Sequence, residues 1–324
     1  MNYPVSIIVP IYNVEKYIEK CVVSIFEQDF ERDIEYIFVN DSTPDKSMEI
    51  LDNVLNNYPE KKEHTIILNH KENKGLGFAR KTGFEKAHGE YILHIDSDDW
   101  CELNMVSELY TKAEENNADI VICDFFNSYL SGDIIFKQHY SNSKQQNFSN
   151  LLLDILTPSV WNKLIKKTLY TNNDIFPPTA ITNHEDKWLL VRLMYFANNI
   201  VYIEKPLYHW RKDNINSLST KTGKKVCDDI RWYSQTTQEF LQEHKIFEQY
   251  KTYFFMSILL HMLWLTKGVD VKKWVFYVSP SAWKFSYLLY GPRATFLEKI
   301  VYSFVFLHMS WVTRLFIRLK KFLF

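Results

Sequence analysis

Glycine and proline are scarce in this sequence, 8 and 10 of 324 residues, which excludes collagenous, linker-dominated and low-complexity chains. Cysteine is scarcer still. Cys21, Cys101, Cys123 and Cys227 show no paired spacing, so no disulfide framework is written here. Neither sign of charge dominates: 38 Lys and Arg stand against 39 Asp and Glu, a balance that removes the general attraction to nucleic acid a basic excess would bring. The tail lacks a long apolar run. Its longest stretch without an ionised residue, Ile300 to Thr313, falls short of the roughly 20 residues a membrane-crossing helix needs. The first residues run into Val5-Ser6-Ile7-Ile8-Val9 with no basic flank or cleavage site. These absences together point to a reducing, cytoplasmic location.

What remains is the composition of an ordered globular protein, 46% hydrophobic and 24% charged, long enough for one large domain or a domain with an appendage. The charge is unevenly spread. Between Val271 and Phe324 nine Lys or Arg (Lys272, Lys273, Lys284, Arg293, Lys299, Arg314, Arg318, Lys320 and Lys321) meet one acid, Glu298.

The first part of the chain alternates in period. Val5 to Pro10 is a β-branched strand-like run, and Tyr17, Ile18, Cys21, Val22, Ile25 and Phe26 then recur at helical spacing. Glu35 to Val39 predicts a strand ending at Asn40-Asp41. Ser42-Thr43-Pro44 follows as a hydroxyl cap and first-turn proline for a helix through Met48, Leu51 and Leu55. Strands at 65–68, 91–95 and 119–123 alternate with helices at 76–86 and 103–113. Five strands alternating with helices predict an α/β fold with a mostly parallel, doubly wound sheet, whose ligands sit beyond the carboxyl ends of the strands. Beyond Ser128 the pattern weakens until a helical run at 187–196. From Arg231 the spacing is helical. The expected division is residues 1–218 as a nucleotide-binding domain and 219–324 as a helical, aromatic and basic region.

Acids that follow strands are the residues to weigh. Asp96-Ser97-Asp98-Asp99 sets three carboxylates at the sheet's ligand edge. A hard divalent cation, Mg²⁺ or Mn²⁺, relieves such crowding; helix capping by Asp98 or Asp99 explains the same residues equally well. Asp41 is placed to accept from a base or a ribose, and an Asx turn before Pro44 accounts for it too. Glu185-Asp186 precedes an amphipathic run, where acids suit a helix N-terminus and where one could act as a general base. Lys74 and Arg80 are candidate cations for a diphosphate, or ordinary charges on an exposed helix. Gly75-Leu76-Gly77 carries neither the dinucleotide fingerprint nor a Gly-Lys-Ser/Thr phosphate loop. His209 could be a metal ligand or a structural histidine in an aromatic cluster.

Taken in order, four segments resemble glycosyltransferase family 2: Val5 to Asn13, Phe38 to Asp45, Gly75 to Arg80 and Gly89 to Trp100. Trp161-Asn162-Lys163-Leu164, Glu185-Asp186 and Pro206 to Arg211 extend the similarity to roughly residues 3–218. The resemblance implies an inverting enzyme of the GT-A fold that moves a sugar from a nucleotide diphosphate donor, with UDP as the expected nucleotide, to a hydroxyl of a glycan or lipid-linked acceptor. It implies that Pro10, Tyr12 and Asp41 hold the base, that Asp96 meets the ribose, that Asp98 binds Mn²⁺ or Mg²⁺ with His209 as second ligand, and that Asp186 is the catalytic base. Asn183-His184 stands before Glu185, where relatives often carry a small residue.

The basic tail interleaves Trp274, Phe276, Trp283, Phe285, Phe304, Phe306, Trp311, Phe316, Phe322 and Phe324. Such stretches lie on anionic bilayer surfaces or pack as a helical appendage; both readings stand. The expected setting is surface polysaccharide or glycolipid assembly, in the cytoplasm or peripherally on the inner membrane face. Two alternatives compete. One is a non-catalytic nucleotide-sugar-binding subunit of a glycan assembly complex. The other is a sugar nucleotidyltransferase, disfavoured because no glycine-rich triphosphate loop opens the chain.

Overall fold

A computed structural model describes residues 3–214, 223–266, 270–292 and 294–307. The chain divides into two compact units, Met1–Gln138 with Pro158–Thr220, and His139–Thr157 with Lys221–Phe324. The expected boundary after residue 218 lies outside the described residues, as do Arg293, Trp311, Arg314, Phe316, Arg318, Lys320, Lys321, Phe322 and Phe324 of the tail.

The first unit is built on one sheet. Strand β1 (Val5–Ile11) is buried at every position, as a parallel strand covered on both faces must be. Helix α1 (Ile18–Phe26) buries Ile18, Cys21, Val22, Ile25 and Phe26, one apolar stripe at 3.6-residue spacing. Strand β2 (Ile34–Asn40), helix α2 (Ser47–Asn57), strand β3 (Thr65–Asn69), helix α3 (Leu76–Lys86) and strand β4 (Tyr91–His94) continue the alternation. The spatial order is β3-β2-β1-β4, all parallel. The chain therefore winds away from β1 in one direction and returns on its other side. That reversal at β1 opens a crevice at the carboxyl ends of β1, β2 and β4, where Tyr12, Asp41 and Asp96 follow.

The remainder of the sheet is mixed. The two-residue strand β5 (Trp100–Cys101) precedes helix α4 (Met105–Asn116) and strand β6 (Ile120–Tyr129), which forms a hairpin with β7 (Gly132–Phe136). Strand β8 (Lys163–Lys166) lies antiparallel between β4 and β6, so β6 keeps the direction of the first four strands without touching them. Strand β9 (Ile200–Arg211) runs parallel to β6 and pairs β5 at its end. Helices α6 (Lys167–Thr171) and α7 (Glu185–Phe196) complete the unit.

Helix α2 starts at Ser47 rather than just after a Ser42 cap. Ser42 has φ 58, and Asp45 closes the turn instead, accepting from Thr43 Oγ1 at 2.7 Å and from Ser47 Oγ at 2.6 Å. Close packing of α3 depends on glycine. A Cβ at Gly83 would lie 2.5 Å from Ile8 Cγ2, and one at Gly77 would lie 2.0 Å from the Pro178 carbonyl oxygen. The first contact seats α3 on β1; the second presses its amino end against the segment leading to α7.

The second unit is helical. It combines α5 (Lys144–Leu152) with α8 (Lys224–Glu243), α9 (Phe247–Thr266), α10 (Val271–Val278), α11 (Phe285–Tyr290) and α12 (Phe296–Phe306). Phe148 of α5 packs on Tyr250 of α9, ring centroids 4.7 Å apart. Among the described residues no helix is long and apolar enough to cross a membrane.

Candidate active site

The crevice begins where β1 and β2 end side by side. Pro10 is in register with Val39, and the Asp41 N–H donates to the Ile11 carbonyl at 3.0 Å. Tyr12, the next residue of the first strand, is 47% exposed. Asp41 is buried, and its carboxylate accepts from the backbone N–H groups of Lys74 and Gly75, both at 2.8 Å. His70 Nδ1 lies 2.7 Å from the same carboxylate, and His70 Nε2 lies 3.0 Å from Thr82 Oγ1. Gly75, at φ +92, adopts the left-handed backbone that glycine tolerates without a Cβ penalty. Asp41 thus ties the loop before α3 to the end of β2, and the side-chain turn expected of it before Pro44 is made by Asn40 instead, whose Oδ1 accepts from the Thr43 N–H at 2.9 Å. The Lys74 ammonium lies 4.5 Å from the centre of the Phe78 ring.

Arg80, a candidate for the donor's diphosphate, points inward and is 1% exposed. Its guanidinium donates to Asp96 Oδ1 at 2.7 Å, to Glu185 Oε1 at 3.5 Å and to Asp186 Oδ1. Its charge is committed to these three carboxylates, so the sequence reading of an outward-facing phosphate cation is replaced by that of a buried hub. The hub joins α3, the end of β4 and the first turn of α7, three elements that only the fold brings together. Asp186 Oδ2 also accepts from the Val160 N–H at 3.2 Å. Burial raises the pKa of Asp186 while Arg80 lowers it; the net direction is upward. Glu185 is pushed up to about 8 by burial and then by Asp186, again with Arg80 opposing. A carboxylate lifted toward neutrality while still held by a cation suits a general base.

Asp98 and Asp99 have different surroundings. Asp98 Oδ2 accepts from Asn214 Nδ2 at 2.7 Å, and its carbonyl accepts from Arg211 Nε at 2.6 Å. Burial and then Asp96 raise its pKa. Asp99 is buried and accepts from Tyr208 Oη at 2.7 Å and from the Arg211 N–H at 2.8 Å. The same Tyr208 oxygen accepts from the Asp96 N–H at 3.2 Å. Asp99 therefore braces the turn from beneath. Neither acid caps α4, whose first flanking residue is Asn104.

Among the described residues no cluster of three or more His, Cys, Asp or Glu side chains could hold a metal ion. Mg²⁺ and Mn²⁺ sites in phosphoryl chemistry need less from the protein, one or two carboxylates completed by substrate phosphates and water. Asp98, with Asp96 close enough to raise its pKa, fits that minimum. His209 does not fit as a second ligand. Its Nε2 is 2.6 Å from Glu102 Oε1 and its Nδ1 3.0 Å from Ser128 Oγ. Its ring is stacked between Trp100 and Phe126, with centroids 4.7 and 4.4 Å away. Both ring nitrogens are engaged, and His209 is a structural residue of the β5–β9 pair.

Several residues of this site carry no singular mark in the sequence. Tyr208 reaches Asp96 and Asp99 because β9 pairs with β5, directly after that turn, and Trp161 stacks on it at 4.4 Å. Lys163 is wholly buried near Asp186, its pKa lowered by burial to about 7. His94 is also wholly buried, and neither ring nitrogen has a hydrogen-bond partner; burial and then Arg80 hold it neutral. A lysine and a histidine inside short apolar strands were the available signals.

A family model described as "Glycosyl transferase family 2" matches residues 6–182, more than half of the chain. EpsH of Bacillus subtilis (strain 168), which bears a glycosyltransferase name, is 31% identical over 277 residues, covering 82% of this chain and 78% of its own. The crystal structure of S. aureus TarS 1-349 in complex with UDP superimposes with a TM-score of 0.69 at 18% identity, over 96% of this chain and 89% of that one. A mannosyltransferase from Pyrobaculum calidifontis, in complex with GDP-Man and Mn²⁺, gives 0.55 at 14% identity over 97% and 85%. At these identities the likeness to the two structures establishes the GT-A fold.

Proposed function

The chain belongs to glycosyltransferase family 2, and from that membership we propose that it moves a sugar, with inversion, from a UDP-sugar to a hydroxyl of a glycan or lipid-linked acceptor. The observation that carries the reading is the Arg80 hub, which gathers Asp96 from the donor side and Asp186 from the acceptor side around one guanidinium. Pro10, Tyr12 and Asp41 receive the base, Asp96 the ribose, and the Lys74 ammonium faces the diphosphate. UDP bound to TarS supports the choice of nucleotide.

Asp186 accepts the proton of the acceptor hydroxyl as that oxygen attacks the anomeric carbon. The bond from this carbon to the phosphate oxygen breaks, and the nucleoside diphosphate departs with the electron pair. Arg80 keeps Asp186 ionised and aimed, while Val160 fixes its second oxygen. Asp98 would hold a divalent cation, Mn²⁺ or Mg²⁺, which would offset charge on the departing diphosphate; the Mn²⁺ in the Pyrobaculum enzyme supports this assignment.

The helical unit extends the proposal to a surface. Trp264, Phe276, Phe285, Tyr290, Phe296 and Leu297 are exposed, and Lys272, Lys273, Lys284 and Lys299 interleave with them. This mixture suits an anionic bilayer and agrees with a peripheral enzyme of surface polysaccharide or glycolipid assembly.

The test pairs a donor screen with one substitution. A matched nucleotide sugar raises apparent thermal stability, because it binds only the folded state, and is consumed when acceptor is supplied. Asp186→Asn retains that stabilisation and loses roughly 10² to 10⁴ in kcat, the usual worth of a general base. Full turnover by Asp186→Asn removes the assignment.

A further inference from the structure

Behind Asp186 lies a five-residue turn, 159–163, whose groups are anchored from several directions. The Lys163 N–H donates to the Val160 carbonyl at 3.1 Å. The Lys163 side chain folds back and donates through Nζ to the Ser159 carbonyl and to Asn162 Oδ1, each at 2.7 Å. Asn162 Nδ2 donates to the Cys123 carbonyl at 2.8 Å, which ties the turn to β6. What the turn presents is the Val160 N–H, donated to Asp186 Oδ2.

The placement of Lys163 is costly. A lysine almost never sits at 0% exposure without a reason, because its ammonium must leave water. A methionine or leucine would fill a buried strand start ahead of Leu164 and Ile165 at no such cost. The amine is used here for two things an apolar residue lacks: donors that close the turn and, below about pH 7 where it is protonated, a positive charge that acts on Asp186.

We propose that Lys163 is a positioning residue for the transfer reaction, holding the 159–163 turn so that Val160 fixes the Asp186 carboxylate, and lending that carboxylate a second buried cation besides Arg80. The proposal rests on the reading of Asp186 as the base. Asp186 on α7 and the Cys123 thiol on β6 face the Lys163 amine, and the buried Tyr170 hydroxyl on α6 faces Asp186. Arg80, Glu185 and Asp96 reach it through Asp186, which they contact or perturb. A lost cation at position 163 leaves the Asp186 carboxylate less stabilised, so its protonation moves to higher pH and the acid limb of the rate profile moves with it.

Lys163→Met removes both donors and charge; Lys163→Gln removes the charge and keeps a shorter N–H donor toward the turn. The expected result is a kcat at least tenfold lower for Lys163→Met, with the donor KM within about twofold of wild type and the acid limb displaced upward. Lys163→Gln shows the same displacement with a smaller loss of kcat. A role confined to folding lowers the melting temperature of both variants and leaves the pH profile of the folded fraction where it was, which overturns the proposal. If Lys163→Met yields no folded protein, Lys163→Gln decides alone by its acid limb. Inactivity of Asp186→Asn alongside wild-type behaviour of both Lys163 variants sinks this inference only, whereas an active Asp186→Asn sinks the base assignment first.

Discussion

Arg80 on α3 holds Asp96, two residues beyond β4, at 2.7 Å with one arm of its guanidinium, while the other arm serves Asp186 at the start of α7. One buried cation thereby couples the acid that follows β4 to an acid in the first turn of α7. Three carboxylates converging on one point repel each other strongly in a water-poor interior. The guanidinium makes their convergence affordable and presents fixed donors that a hydrated lysine ammonium would not match.

Arg80→Met is expected to be the most damaging single change in this network. Removing one partner from a buried ionic cluster costs about 3 kcal/mol, because the acids left behind are uncompensated. The loss should appear as a lower denaturation midpoint. The sign of the pH effect also follows. Arg80 lowers the pKa of Asp186 and of Glu185, so its removal raises both, and whatever activity survives must disappear at a higher pH than in the wild type. Rate profiles that superimpose would contradict this role.

Substitutions at Asp98 and His209 test the proposed metal ligand against the structural histidine. Chelation is expected to abolish transfer and added Mn²⁺ or Mg²⁺ to restore it. Asp98→Ala should raise the concentration of Mn²⁺ needed for half-maximal activity by tenfold or more. His209→Phe should leave that concentration unchanged and act on stability, through loss of its contacts to Glu102 and Ser128. A metal titration of each variant decides, and a large shift in His209→Phe would restore it as a ligand.

Gly77→Ala probes the contact between α3 and the segment before α7. The new methyl would meet the Pro178 carbonyl oxygen at 2.0 Å, which no rotamer change relieves. An overpacking cost of about 1 to 3 kcal/mol is expected, read as a lower melting temperature, together with weaker activity because Arg80 and Asp186 shift apart. Wild-type values for both would mean that the segment yields freely.

The first four strands and three helices were legible because each writes its own period, and because an acid after a strand in an α/β pattern marks the ligand edge. Asp41 and Asp96 were found that way. The inserted β8 was not, since four residues carry too little periodicity to reveal a direction. Tyr208 was missed because its partner Asp99 is 109 residues away, and Lys163 because its burial beside Cys123 and Asp186 is set by tertiary packing and not by local pattern. Arg80 was noticed but faced the wrong way, because a helix in isolation does not say which of its charged residues the sheet will cover.

The helical unit draws one of its helices, α5, from the middle of the chain, and α5 packs on α9 through Phe148 and Tyr250. During synthesis α5 leaves the ribosome well before α9 exists, so Phe148, beside the equally buried Leu151 and Leu152, waits without the Tyr250 ring it packs on. Neither unit can be excised by a single cut, and a chain stopped before α8 would carry that unmet apolar face as a point of aggregation.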